Sequence, residues 1–158
     1  MATTIVPSDL TVTISESYTL NGVDYGNTMN KTYIDNGKVS QRIMTIAGKG
    51  SGETITWTDI LALSTADGQG QVVKTEYKYF RITNLDDTHT LHFRVATDTN
   101  EFHSFEVTPS SSFLLMDAGV DYTTTSGAAI TFKDIIAIAG QSSHATESLD
   151  VEFVMVTS

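Results

Sequence analysis

Few side chains in this chain are suited to acid–base or metal chemistry: four histidines and 19 carboxylates, with no cysteine. His89 and His92 lie three apart in HTLH. On an extended chain such residues point to opposite faces, so the pair is a poor metal clamp and reads as surface or cross-strand histidine. Clustered oxygens occur in DDTH, residues 86–89, and DTNE, residues 98–101. Neither has the glycine-containing loop of an EF-hand, and both read as turns in which an Asp side chain bonds its own backbone. There is no Gly-x-Ser-x-Gly elbow, phosphate-binding glycine loop or HExxH. A non-enzyme is therefore expected, with no catalytic residue, metal or cofactor assigned. A hydrolase would instead need a pocket that brings His and carboxylate together.

Two phrases must be placed by any fold. Residues 52–63 read GETITWTDILAL and residues 127–138 read GAAITFKDIIAI. Each is followed by a loop and a strand-like run, which gives an internal repeat of strand, short turn, loop and strand. On this reading Trp57 and Phe132 are equivalent core aromatics, and Asp59 and Asp134 cap equivalent short helical turns. Truncating either aromatic to Ala should then cost about 3–5 kcal/mol. The rival reading, an acid and base pair made of the two Asp residues, requires a shared cleft.

Elsewhere the chain alternates. Leu10, Val12 and Ile14 are interleaved with Thr11, Thr13 and Ser15, and Leu149, Val151, Phe153 and Met155 with Asp150 and Glu152. Period two with β-branched and aromatic residues marks strands with one wet face. The expected strands cover about 9–20, 29–35, 38–47, 53–58, 71–84, 90–97, 102–108, 112–117, 130–132 and 148–157. Asn21-Gly22 and other Asn-Gly and Asp-Gly turns separate them, and Pro109 marks a strand end. The fold class is all-β: a single antiparallel β-sandwich, jelly-roll-like, with at most short helical turns. Residues 9–158 form the one domain, and residues 1–8 an extended arm whose Thr3, Thr4, Ile5, Val6 and Pro7 are candidates for partner binding.

Charge narrows the partners. A formal net charge of −10 repels nucleic acid and anionic lipid. No apolar run approaches the roughly 20 residues of a membrane span, and MATTIVPSDL has neither the basic nor the apolar region of a secretory signal. Tyr18, Tyr25, Tyr33 and Tyr122 lie near turns, where stacking platforms for sugar could sit; the plainer reading has them rim the core with wet hydroxyls.

Three longer runs carry a resemblance. They are ESYTLNG at residues 16–22, RITNLD at 81–86 and FEVTPSSSFLL at 105–115. With KVSQRIMTI between them, they resemble small virion structural proteins of tailed bacteriophages, marine phages in particular. The resemblance implies an all-β accessory protein with no catalytic residues, most simply a capsid decoration or cement protein on the outside of the shell. Its partners would be the major capsid protein and further copies of itself, such as a homotrimer, with no nucleic acid and no membrane. A neck, tail or fibre component, or a carbohydrate-binding module for host attachment, is the alternative.

Overall fold

The computed structural model describes residues 8–36, 38–51, 55–62, 77–97, 102–116 and 135–157. Within them the chain is all-β, with twelve strands and no helix. β1 (Ser8–Glu16) and β4 (Asn27–Asn36) form a two-stranded antiparallel ribbon. Its two faces differ as the alternation requires. On one, Thr11 meets Thr32 at 3.1 Å, Thr13 donates to Asn30 at 2.8 Å and Ser15 meets Thr28 at 3.0 Å, a solvated ladder of side-chain hydrogen bonds. On the other, Leu10 lies opposite Tyr33, Val12 opposite Lys31 and Ile14 opposite Met29.

At the far end, β2 (Thr19–Leu20) and β3 (Val23–Asp24) close around Asn21-Gly22. Both turn residues have positive φ, 52° and 78°, as a two-residue type I′ connection demands. Gly26 has a different reason to be glycine: a Cβ there would sit 2.6 Å from the Glu16 carbonyl oxygen.

The remaining strands make two four-stranded antiparallel sheets. The first runs β10 (Ser112–Met116), β7 (Tyr77–Asn84), β12 (Leu149–Thr157), β5 (Lys38–Ile46). The second runs β6 (Thr58–Ala62), β11 (Ile135–Ser142), β8 (Leu91–Thr97), β9 (Phe102–Val107). One apolar cluster draws on both, including Ile46, Phe80, Ile82 and Phe153 from the first and Ile60, Phe93, Val95 and Ile138 from the second. The arrangement is sandwich-like, with burial of these side chains as its main source of stability. A second cluster joins Val12 and Tyr33 of the ribbon to Tyr79 and Val156, with Leu10, Ile14, Leu114, Met116 and Val154 around them. The ribbon's apolar face thus lies on the outer face of the first sheet.

Five expected strands, 38–47, 90–97, 102–108, 112–117 and 148–157, match β5, β8, β9, β10 and β12 to within one residue at either end. Elsewhere the reading needs correction. The expected strand 9–20 breaks after Glu16 into β1 and β2, and Ser8, assigned to the arm, opens β1. Residues 1–7, with Thr3, Thr4, Ile5, Val6 and Pro7, lie outside the described residues, as do 130–132. TDILAL and KDIIAI are expected to start helical turns, but their described residues, Thr58–Ala62 and those from Ile135 on, are strand. β6 and β11 pair directly, with Ala62 opposite Ala137 and Leu61 opposite Ile138. The described ends of the repeated phrase therefore lie in two neighbouring strands of one sheet. In β11, where Ile138, Ala139 and Gly140 are buried in succession, the run has no period with which to tell strand from helix.

Candidate functional site

The hairpin tip is an exposed apolar feature. Tyr18, Leu20, Val23 and Tyr25 are each more than half exposed. The two tyrosine rings stack on one another at 5.6 Å between centroids and 15° between planes. A hydrogen bond from the Tyr25 amide to the Tyr18 carbonyl, 3.0 Å, holds the strands beneath them together. Every described residue from Ser15 to Thr32 is exposed, whereas Tyr33, nearer the ribbon's base, is buried. The base of the hairpin is thus anchored by packing while its tip projects. Tyr18 and Tyr25 meet the expectation of aromatics at turns, Tyr33 is a core residue, and Tyr122 lies outside the described residues.

A second cluster joins the loop after β7 to the loop after β11. Asn84, fully buried, donates to the carbonyls of His89 at 2.8 Å and Val107 at 3.1 Å and accepts from the Asp86 amide at 3.1 Å. Asp86 Oδ1 in turn accepts the amides of Thr88, 2.8 Å, and His89, 2.6 Å. DDTH is the self-bonded aspartate turn expected from its sequence. His89 Nδ1 then lies 3.4 Å from Asp86, and its Nε2 lies 3.3 Å from Glu147 of the other loop. His144 stands 5.1 Å from His89 between ring centroids.

His89, His144 and Glu147 have donor atoms within 4.8 Å of one another, close enough to test as a metal set. The hydrogen bonds argue against that use. His144 Nδ1 accepts the amides of Thr146, 3.3 Å, and Glu147, 3.0 Å. The neutral ring must then carry its hydrogen on Nε2, the atom a metal would need, whereas a metal-bound histidine donates through its other nitrogen. What this geometry makes is a polar latch between two loops. The spacing of His89 and His92 gives no sign of it, because its members come from loops far apart in sequence.

The two amide bonds to Asp86, His89's first and Thr88's second, hold its carboxyl below the ordinary value of 3.8. A depressed aspartate stabilises the fold above the unfolded value, and that contribution is lost as pH falls through the lower folded value. The Asp86→Asn variant should therefore melt below wild type at neutral pH, with the gap closing as pH drops through about 4 toward 2. Thermal melts across that range check it, and a gap that persists unchanged at the acid end would refute the charge argument.

The repeat residues fall differently from expectation. Trp57 is half-buried and outside both apolar clusters; it lies just before β6, against the Arg94 guanidinium. Asp59 is exposed within β6, opposite Ala139, and caps no helical turn. The physical reason is strand alternation: Ile60 takes the inward position, which leaves Asp59 outside. Phe132 and Asp134 lie outside the described residues. No protein-family model, curated protein or solved structure matches the chain.

Proposed function

We propose that this chain is a non-enzymatic virion structural protein that decorates the outer surface of a capsid shell and stabilises it. The observation that carries the reading is the hairpin, anchored at its base on the first sheet and presenting Tyr18, Leu20, Val23 and Tyr25 to solvent. Rigid aromatic side chains are the groups that bury the most surface for the least ordering cost at a protein interface. The strand order supports the reading too. β5 to β12 fall into sheets ordered β10-β7-β12-β5 and β6-β11-β8-β9. We read that alternation as one jelly roll, an architecture used by capsid domains.

The partner is the major capsid protein. Between Met1 and Asn30 the chain has acidic Asp9, Glu16 and Asp24 but no Lys, Arg or His. The hairpin thus suits an apolar hollow with a basic rim, and it disfavours nucleic acid and anionic lipid. Association into a homotrimer at a capsid symmetry axis would present several hairpins at once, so that weak contacts add through avidity. Residues 1–8 have a place in this account only as a supplement to the hairpin.

Replacing both Tyr18 and Tyr25 with Ser should leave the thermal midpoint close to wild type, because both rings are exposed. It should weaken binding to undecorated shells by about tenfold or more. Co-sedimentation with purified shells measures this. Full occupancy by the double variant would remove the hairpin from the interface.

A further inference from the structure

The two loops of the polar latch both cross between the sheets. One leads from β7 of the first sheet to β8 of the second, the other from β11 of the second back to β12 of the first. Where they meet, the Ser143 amide bonds the Thr90 carbonyl at 2.8 Å and the Thr90 amide bonds Ser143 Oγ at 3.1 Å. Beside these bonds stand His89 and His144, whose charge depends on pH.

The two imidazoles favour opposite protonation states. The His89 side chain is only 17% exposed, and each of its ring nitrogens has a carboxylate as neighbour, Asp86 at 3.4 Å from Nδ1 and Glu147 at 3.3 Å from Nε2. A neutral imidazole carries a single N–H, so one of these carboxylates would face a lone pair. An imidazolium offers a donor to each, and gives the buried Nδ1, which makes no hydrogen bond as it stands, a charge to set against Asp86. His144 is the reverse case. Its Nδ1 already accepts the amides of Thr146 and Glu147, so a proton there would displace both bonds. With the ring centroids 5.1 Å apart, a charge on His89 also opposes a second charge on His144.

The charges around the pair favour the proton on His89. Among the described residues, Asp87 lies on the same loop and accepts the Thr88 hydroxyl at 2.9 Å, while Asp150, just into β12, accepts that of Thr45 at 2.7 Å. Lys49, after β5, bonds the His144 carbonyl through its amide at 3.0 Å and has an exposed side chain. Residues 108–111, which bond the Asp86 carbonyl through the Ser110 amide, carry no charge. Acids therefore outnumber bases here.

We infer that His89 and His144 form a pH-sensitive latch that holds a single proton, on His89, and that this proton tightens the two loop crossings against each other. It is taken from water as pH falls through the range in which histidine changes charge, and it lets His89 donate to Asp86 and Glu147 at once. Its loss at higher pH leaves one carboxylate against a lone pair and loosens the crossings. The stability that the proton adds is thus present on the acid side and lost as pH rises. Neither the hairpin nor the ribbon takes part, so the latch stands or falls independently of shell binding.

Nuclear magnetic resonance of the full chain, labelled at the histidine ring nitrogens, reads the proton directly. At about pH 5.5 His89 should show two protonated nitrogens while His144 keeps a bare Nδ1, and at about pH 8 both rings should be neutral. Amide exchange at Thr146 and Glu147, corrected for the intrinsic effect of pH, should be slower by about fivefold at the lower pH. His89→Gln, which cannot take a charge, should melt below wild type at about pH 5.5, with most of the gap closed by about pH 8. His144→Asn, whose side-chain oxygen can accept the same two amides, should keep the wild-type pH dependence. A neutral His89 at about pH 5.5, or uptake of the proton by His144 ahead of His89, would overturn the proposal. So would a His89→Gln gap that is equal at both pH values, or a folded His144→Asn that has lost the pH dependence.

Discussion

Phe153→Ala is expected to destabilise the fold by about 3–5 kcal/mol. Phe153 is fully buried on β12, which is hydrogen-bonded to β5 on one side and β7 on the other. Its ring lies 6.1 Å from that of Phe80, which meets Phe93 of the opposite sheet edge-on at 6.4 Å. Truncation removes the contacts that tie one sheet to the other through these rings. The ladders on both sides prevent β12 from moving inward to fill the space, so the cavity persists and its cost adds to the lost transfer energy. Urea unfolding, with the slope compared as well as the midpoint, measures the loss. A loss below about 1 kcal/mol would mean that the rings do not form the common core, since exposed positions give values of that size.

The second large effect comes from a polar residue. Asn84→Ala removes two donated hydrogen bonds and one accepted bond at a fully buried position. Each buried group left without a partner costs about 1–3 kcal/mol, so the sum should reach about 3 kcal/mol unless water enters. The same residue sets the start of the loop that carries Asp86 and His89. The variant should therefore expose that loop to proteolysis under conditions in which wild type is resistant, and amide exchange at Asp86 should rise with it. Stability and exchange both unchanged would show that the loop is held by its contacts to the His144 loop instead, such as the 2.8 Å bond from the Ser143 amide to the Thr90 carbonyl.

Alternation along the chain made much of the fold legible. Leu10, Val12 and Ile14 face the sheet while Thr11, Thr13 and Ser15 bond across the wet face, and Asn21-Gly22 makes the turn its composition announces. Where alternation fails, legibility fails with it. In β11, Ile138, Ala139 and Gly140 are buried in succession, so the strand lies in the sheet interior and its sequence carries no period. Trp57 was misread for another reason. Its place in a repeat suggested a core role, but the ring is held outside by Arg94, a residue 37 positions further along that no local pattern connects to it. The same limit hid the latch of His89, His144 and Glu147, which exists only because the loop after β7 meets the loop after β11. Exposed tyrosines at a turn could be named from sequence; that they stack and project required the ribbon to be anchored at its base.

Binding of the purified chain to capsid shells that lack it tests the central claim most directly, with the shells then challenged by heat. Saturable binding that raises the temperature at which the shells fail, lost when Tyr18 and Tyr25 are both replaced by Ser, is the predicted result. Shells that bind none of the wild-type chain, or bind it without gaining resistance, would contradict a decorating and stabilising role.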